Sequence, residues 1–155
     1  MRMHDNVASM TETKVSAGSG ETGTDRESTA DVREWREILA RHADLSCALD
    51  RELQAGHALG MSEYEVLERL AELPEQSAKV SAIAKSVHLS QSALSRVIGR
   101  LETAGLVERV MCTQDRRAVI VQLTESGLLL QTEAQPTQRR VLAERLHAPL
   151  LKSCE

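Results

Sequence analysis

The sequence has no phenylalanine, and Trp35 and Tyr64 are its only tryptophan and tyrosine. A hydrophobic core must therefore be built from Leu, Val, Ile and Ala, which is compatible with a mostly helical protein. No stretch approaches the roughly 18 consecutive apolar residues of a membrane-spanning helix, and the amino terminus has no apolar signal core. We therefore expect a cytoplasmic protein without a membrane partner.

Cysteine and histidine are scarce and scattered. Cys47, Cys112 and Cys154 form no CxxC pair, which is typical of a reducing cytosol and not of a disulfide framework. A redox-reactive cysteine needs exposure and a lowered pKa, and we predict buried packing for Cys47. The histidines form neither an i, i+4 pair nor a cluster with cysteine, so we expect no metal site and no cofactor.

The sequence also lacks the motifs of an enzyme. Catalysis needs a nucleophile, a base and an orienting group in one cleft, but no catalytic motif or Gly-rich phosphate loop is present. The most prominent serines belong to a polar helix face that is described below. We therefore predict that the protein is not an enzyme.

The net charge of −4 is distributed unevenly along the chain. Residues 1–78 hold 8 Lys and Arg against 16 Asp and Glu, and residues 118–155 hold 4 of each. Residues 79–117, by contrast, hold 7 Lys and Arg against 3 Asp and Glu. Because local charge governs counterion release from a nucleic acid, this basic segment is the candidate for DNA contact.

Residues 90–105 predict the helix that would make this contact. At about 100° per residue, one side is apolar and carries Leu94, Val97, Ile98 and Leu101. The other side carries Ser92, Ser95, Arg96, Gly99 and Thr103, with Gln91 at the border. This smooth face suits a base-pair edge, where Gln can pair with adenine and Arg with guanine or phosphate. A merely solvated polar face is the alternative interpretation.

The flanking patterns place this helix in a winged helix-turn-helix. A short amphipathic helix comes before it, with Val80, Ile83, Ala84 and Val87 on its apolar side, and residues 88–90 form the turn. After it, Gly105 is typical of a helix C-cap, and residues 106–110 and 118–123 predict a hairpin. The predicted fold class is mainly α with a small β-hairpin wing (α+β).

These segments resemble the MarR (multiple-antibiotic-resistance regulator) family of winged helix-turn-helix transcriptional regulators. The resemblance covers roughly residues 31–150 and depends on motifs at residues 62–67, 90–102, 104–109, 115–117 and 123–127. It implies a homodimeric repressor that binds an inverted-repeat operator in double-stranded DNA. The recognition helix would enter the major groove and the wing the adjacent minor groove. A small phenolic or anionic effector would release the protein from DNA.

The helix pattern and the resemblance together identify candidate DNA-binding residues. In the wing, the resemblance implies that Arg117 enters the minor groove, that Asp115 holds it, and that Arg116 contacts phosphate. An ordinary polar turn is the alternative interpretation of the wing. The predicted DNA-binding residues are Ser90, Gln91, Ser92, Ser95, Arg96, Arg100, Arg116 and Arg117, with Asp115 in support.

The remaining segments predict a tail and two dimerisation elements. Residues 1–29 are rich in Ser, Thr, Gly and charge and predict a disordered tail before a winged-helix domain over residues 30–155. Within that domain, residues 62–123 form the DNA-binding part, and residues 30–59 and 124–151 the dimerisation helices. The 3-4-3-4 spacing in the first of these predicts a helix-to-helix seam formed by Trp35, Ile38, His42, Leu45 and Leu49.

Four further expectations concern particular residues, and the first is that Thr124 is the N-cap of the last helix. Ser62 and Glu65 are predicted to form a capping box at the start of a helix. Pro136 favours a break by pattern, but the family resemblance favours one helix that continues through it to about His147. By region of the family fold, an effector pocket would be bordered by Trp35, His42, His57 and Tyr64.

Two alternatives to this interpretation stay open. A winged helix does not dictate function, so the protein could be a protein–protein assembly module without DNA readout. It could also be a regulator that senses oxidants or a metal ion instead of a small organic ligand. His42, which lies on the predicted seam, fits a hydrogen-bonded core or interface residue as well as a ligand contact.

Overall fold

The computed structural model describes residues 24–111 and 119–148, with side chains from residue 29 onward. Its elements are α1 (Thr24–His57), α2 (Met61–Ala71), β1 (Ser77–Lys79), α3 (Val80–Ser86), α4 (Gln91–Thr103), β2 (Val107–Met111), β3 (Val119–Leu123) and α5 (Glu125–Arg145). The predicted fold class, a mainly helical winged helix-turn-helix, is confirmed. None of the helices described here contains an apolar stretch that could span a lipid bilayer.

Several predicted features lie outside the described residues. These are the wing residues Asp115, Arg116 and Arg117, two of the cysteines, Cys112 and Cys154, and residues 1–23 of the predicted tail. Residues 24–29, however, belong to α1 and not to the predicted tail. This start was missed because the segment has no apolar periodicity that would mark it as helical.

The chain divides into two compact units, and the boundary falls inside α1. The first unit ends at Arg36, and its described part is the beginning of α1. The second unit begins at Glu37 and contains the rest of α1 and every other element named above. It carries the hydrophobic core and the winged helix.

The core of the second unit contains the apolar side of α4 that the sequence predicts, together with an apolar side of α2. Leu94, Val97, Ile98 and Leu101 of α4 are all buried, and so are Tyr64, Leu67 and Leu70 of α2. Leu53 of α1 and Val121 of β3 join the same cluster. These helices are therefore held by the burial of one apolar face each, which is the main source of helix stability in proteins.

The sheet is antiparallel, with the strand order β1-β3-β2. In the central strand β3, Val121 and Leu123 are buried and Gln122 between them is exposed, but Val119 at the start of the strand is exposed as well. Strand β1 was not predicted, because three residues are too few to show an alternating pattern. Its pairing of Lys79 with Ile120 brings the start of α3 next to the wing strands.

A glycine lies at the start of α2 and another lies at the end of α4. The predicted capping box at Ser62 was wrong: α2 starts at Met61, and its cap residue is Gly60, whose N–H donates to Glu63 Oε2 at 2.8 Å. A second acceptor comes from α1, since Met61 N–H donates to Asp50 Oδ1 at 2.9 Å. At the end of α4, Gly105 has a φ of 72°, which confirms the predicted C-cap.

Helix α5 is continuous through Pro136, as the family resemblance implies, and ends at Arg145. Its predicted N-cap is confirmed, because Thr124 Oγ1 accepts a hydrogen bond from Gly127 N–H at 3.0 Å. Proline removes one helix hydrogen bond, but contacts from α1 hold the helix beside it. His57 Nε2 lies 2.9 Å from Thr137 Oγ1, immediately after the proline.

Polar side chains join α1 and α5 within the second unit. Arg140 pairs with Glu52 at 3.0 Å, and Arg145 pairs with Asp44 at 3.3 Å. The Arg140 guanidinium, aided by Arg51, lowers the pKa of the Glu52 carboxyl. Partly exposed ion pairs of this kind contribute little stability each. Together they fix the register of the two helices that are predicted to form the dimer.

Candidate DNA-binding surface

The turn before α4 determines how this helix is presented. His88 has a φ of 52°, an uncommon left-handed conformation that histidine tolerates better than most residues. Ser90 is the N-cap of α4, since its Oγ accepts a hydrogen bond from Ala93 N–H at 3.2 Å. The exposed Ser90, which was predicted to contact DNA, therefore also has a structural role at the start of the helix.

The structure brings the predicted DNA-binding residues of α4 together on one side. Because the opposite side of α4 is buried, the polar face points away from the core. Ser92 Oγ lies 3.2 Å from Ser90 Oγ at the beginning of this face. The residues predicted to contact DNA are all exposed: Ser90, Gln91, Ser92, Ser95, Arg96 and Arg100.

Beside this face lies a cleft of about 330 Å³ between the start of α3, the start of α4 and the wing strands. Gln91 and Ser95 line one side of it. Lys79, Ser81 and Arg109 also line the cleft, and none of these was predicted from the sequence. The position of Arg109 at the end of the motif at residues 104–109 was a possible signal. Lys79 gave none, since β1 was not recognised.

The two cations of the cleft are available to a ligand. Lys79 is exposed. Arg109 Nε lies 3.4 Å from Glu102 Oε2, and the two side chains are 41% and 43% exposed. An ion pair as exposed as this one contributes at most about 1 kcal/mol. Arg109 can therefore exchange this carboxylate for a phosphate oxygen at little cost.

Arg100 is held more firmly than Arg96, the other arginine of α4. Its Nε donates to Glu63 Oε1 of α2, and the Glu63 side chain is only 15% exposed. The other oxygen of the same carboxylate accepts the Gly60 N–H. One carboxylate thus joins the start of α2 to the recognition helix. The direct contact of Arg100 with DNA stays a prediction.

Two of the predicted effector-pocket residues contact neighbouring residues of α5: His57 contacts Thr137, and Tyr64 contacts Gln138. Trp35 belongs to the first unit and is 58% exposed. In the second unit, His42 is exposed, His57 contacts Thr137, and Tyr64 is buried. The Tyr64 hydroxyl donates to Glu68 Oε1 at 3.1 Å, and burial together with the Glu68 charge raises the Tyr64 pKa.

The prediction that Cys47 is buried was wrong, because its side chain is exposed. The neighbouring Ala48 occupies the buried position of this helical turn instead, with 3% exposure. Within the described parts of the chain, no group of three or more His, Cys, Asp and Glu side chains is arranged to hold a metal ion.

Comparison with known proteins agrees with this geometry. The model of the MarR family matches residues 59–119. AbsC, a MarR family transcriptional regulator from Streptomyces coelicolor, is 32% identical, with 83% of this chain and 84% of AbsC covered and a TM-score of 0.69. Sco3205, a MarR family transcriptional regulator from the same organism, was solved in complex with DNA. It is 28% identical, with 72% of this chain and 70% of that chain covered and a TM-score of 0.69.

A third structure shares the fold at lower identity. The transcriptional regulator BldR from Sulfolobus solfataricus is 23% identical, with 83% of this chain and 87% of that chain covered and a TM-score of 0.71. The winged helix of this chain presents an exposed donor face beside a cationic cleft, which is the kind of surface that a DNA-binding protein needs. The chain belongs to the MarR family and is a transcriptional regulator, not an enzyme.

Proposed function

We propose that this regulator is a homodimeric repressor that binds an inverted-repeat operator and is released by a small phenolic or anionic effector. The observation that supports DNA recognition is the exposed polar face of α4 next to the cleft with Lys79 and Arg109. Side chains of this kind pair with base edges, whereas the cations position the protein on phosphates. The similar protein Sco3205 was solved in complex with DNA.

The proposal divides the DNA-binding residues by role. Gln91, Ser92 and Ser95 lie in the opening turns of α4, the end of a recognition helix that usually meets base edges. Arg96 contacts guanine or phosphate from the next turn. In the wing, Arg117 enters the minor groove with Asp115 in support, and Arg116 contacts phosphate.

A substitution at Gln91 tests the base-reading role. We expect Gln91→Ala to weaken binding to the best operator by about 1–3 kcal/mol, because one bidentate contact to a base is lost. Binding to random DNA should change little, since phosphate contacts remain. Fluorescence anisotropy titrations on both DNAs measure the two affinities.

The matched control is Gln54→Ala, which removes the same amide from an exposed position on α1. It should leave both affinities unchanged. An equal loss on operator and random DNA for Gln91→Ala would contradict a role in base reading.

Exposed apolar side chains on α1 support the proposed dimer. In the second unit, Ile38 is 53% exposed and Leu39 is 47% exposed, whereas Leu53 near the end of the helix is fully buried. Large apolar residues at consecutive exposed positions are typical of an interface. In the first unit, Trp35 on the same helix is also exposed. We propose that a second copy of α1 covers this face and that His42, one helical turn after Ile38 and Leu39, lies within it.

A charge on this face tests dimerisation. We expect Ile38→Glu to give a monomer in sedimentation velocity experiments, because the dimer would bury an unpaired carboxylate at a cost of several kcal/mol. The monomer should lose preference for two half-sites about 10 bp apart, which is one turn of DNA. Leu73→Glu is the control, since Leu73 is 39% exposed but lies beyond the end of α2. A dimeric Ile38→Glu protein with normal operator binding would contradict this interface.

Mobility shift on the DNA flanking the gene of this protein tests repression and release. The expected result is a shifted band that salicylate-like compounds abolish at low concentration. The same assay with an oxidant or a zinc chelator examines the two alternative signals. Release by either of these reagents and not by the phenolic compounds would contradict the proposed effector class.

A further inference from the structure

Gly99 lies near the middle of α4, on the polar face between Arg96 and Arg100. Its backbone is helical, since Gly105 is the only glycine in the described ranges with a positive φ. Glycine is the least favourable residue in a helix interior except proline. Backbone conformation therefore gives no reason for glycine at this position.

The packing of the protein gives no reason either. A Cβ built on Gly99 meets no described atom within 4 Å, apart from its own helix backbone and chain neighbours. Gly127 of α5 differs, because a Cβ there would overlap the Leu106 carbonyl oxygen. The missing side chain at Gly99 therefore leaves room for something outside the described part of the protomer.

The surface around Gly99 indicates what approaches it. Gly99 lies in a shallow groove of about 560 Å³ that is also lined by Arg96, Arg100 and Thr103. The Thr103 hydroxyl is turned back onto the helix, where it donates to the Gly99 carbonyl at 2.9 Å, and this keeps the face low. The backbone at Gly99 carries no side chain and lies between two arginines, so a polyanion can approach it closely.

We propose that Gly99 is the position of closest approach between α4 and duplex DNA, so that its lack of a side chain sets how deeply the helix enters the major groove. This inference rests on the proposed DNA-binding function. A methyl group at this position would hold the helix away from the base edges. Contacts from the long, flexible lysine and arginine side chains to phosphates would survive such a small displacement.

The test compares Gly99→Ala with Gly56→Ala, which places the same methyl group at another helical glycine without near neighbours. Both variants should raise Tm by about 2–4 °C, because alanine is the better helix former. Only Gly99→Ala should weaken operator binding, by about tenfold or more, with a smaller change on random DNA. Gly99→Leu should weaken operator binding further, since its side chain is larger.

The possible outcomes separate this inference from the function on which it rests. Wild-type protein that binds no DNA would overturn both. Normal operator affinity for Gly99→Ala and Gly99→Leu, with a functional wild type, would overturn the inference alone. A lower Tm for Gly99→Ala would show an internal packing role, and a change in its sedimentation would show that the face binds a second protein copy. Either result would also overturn the inference.

Discussion

Gly127→Ala is expected to destabilise the protein by about 3 kcal/mol, a large effect for one added methyl group. Gly127 is buried in the first turn of α5, where a Cβ would overlap the Leu106 carbonyl oxygen and lie 2.8 Å from Leu123 Cδ1. That carbonyl already accepts the Thr124 N–H at 3.1 Å, so it cannot move without breaking this bond. Thermal unfolding should show Tm lowered by about 10 °C.

The neighbouring variant Ser126→Ala is the control for this prediction. Ser126 lies in the same turn of α5 but is exposed. Its substitution should change the free energy of unfolding by about 0.5 kcal/mol at most. Equal destabilisation by the two variants would show that the helix start, and not the close approach of Gly127 to Leu106, is sensitive to alanine.

Features with local signals were predicted correctly from the sequence. The buried side of α4 follows from the spacing of Leu94, Val97, Ile98 and Leu101 alone. The C-cap at Gly105 and the N-cap at Thr124 each depend on residues within about one helical turn. The polar face of α4 follows in the same way, because it is the complement of the buried side.

Features that depend on residues far apart in the sequence were not predictable. The start of α2 is determined partly by Asp50 of α1, whose carboxylate accepts the Met61 N–H. The cationic cleft forms because Lys79 and Arg109 approach from opposite edges of the sheet, on the two sides of β3. Likewise, the sequence shows Gly127 within a family motif but not that a side chain there would meet Leu106.

Helix α2 physically links α5 to the recognition helix. On one side, Gln138 of α5 donates to Glu68 Oε2 at 2.9 Å, and Glu68 Oε1 accepts the Tyr64 hydroxyl. On the other side, Glu63 pairs with Arg100 of α4. The orientation of α4 therefore depends on how α2 packs against α5. This arrangement accounts for the position of Arg100 through contacts inside the protomer, independently of DNA.

The largest effect that we predict on DNA binding comes from removing the two cations that line the cleft next to α4. The double variant Lys79→Ala/Arg109→Ala should weaken binding to operator and random DNA together, by about 100-fold or more at physiological salt. Both side chains line the cleft between the start of α4 and the wing strands. In a dimer, the variant removes two phosphate contacts from each subunit. The plot of log affinity against log salt should therefore flatten by about three to four units.

A change of net charge alone would weaken binding to DNA as well, so the control must remove the same charge elsewhere. Arg51→Ala/Arg139→Ala does this from exposed positions on α1 and α5, and Arg51, like Arg109, has a carboxylate partner. Because released counterions come from the contacted phosphates, the control should keep the wild-type salt slope. If both double variants flatten the plot equally, general electrostatic attraction and not the cleft holds the DNA. If the cleft variant loses affinity only for the operator, Lys79 and Arg109 contact bases and not phosphates.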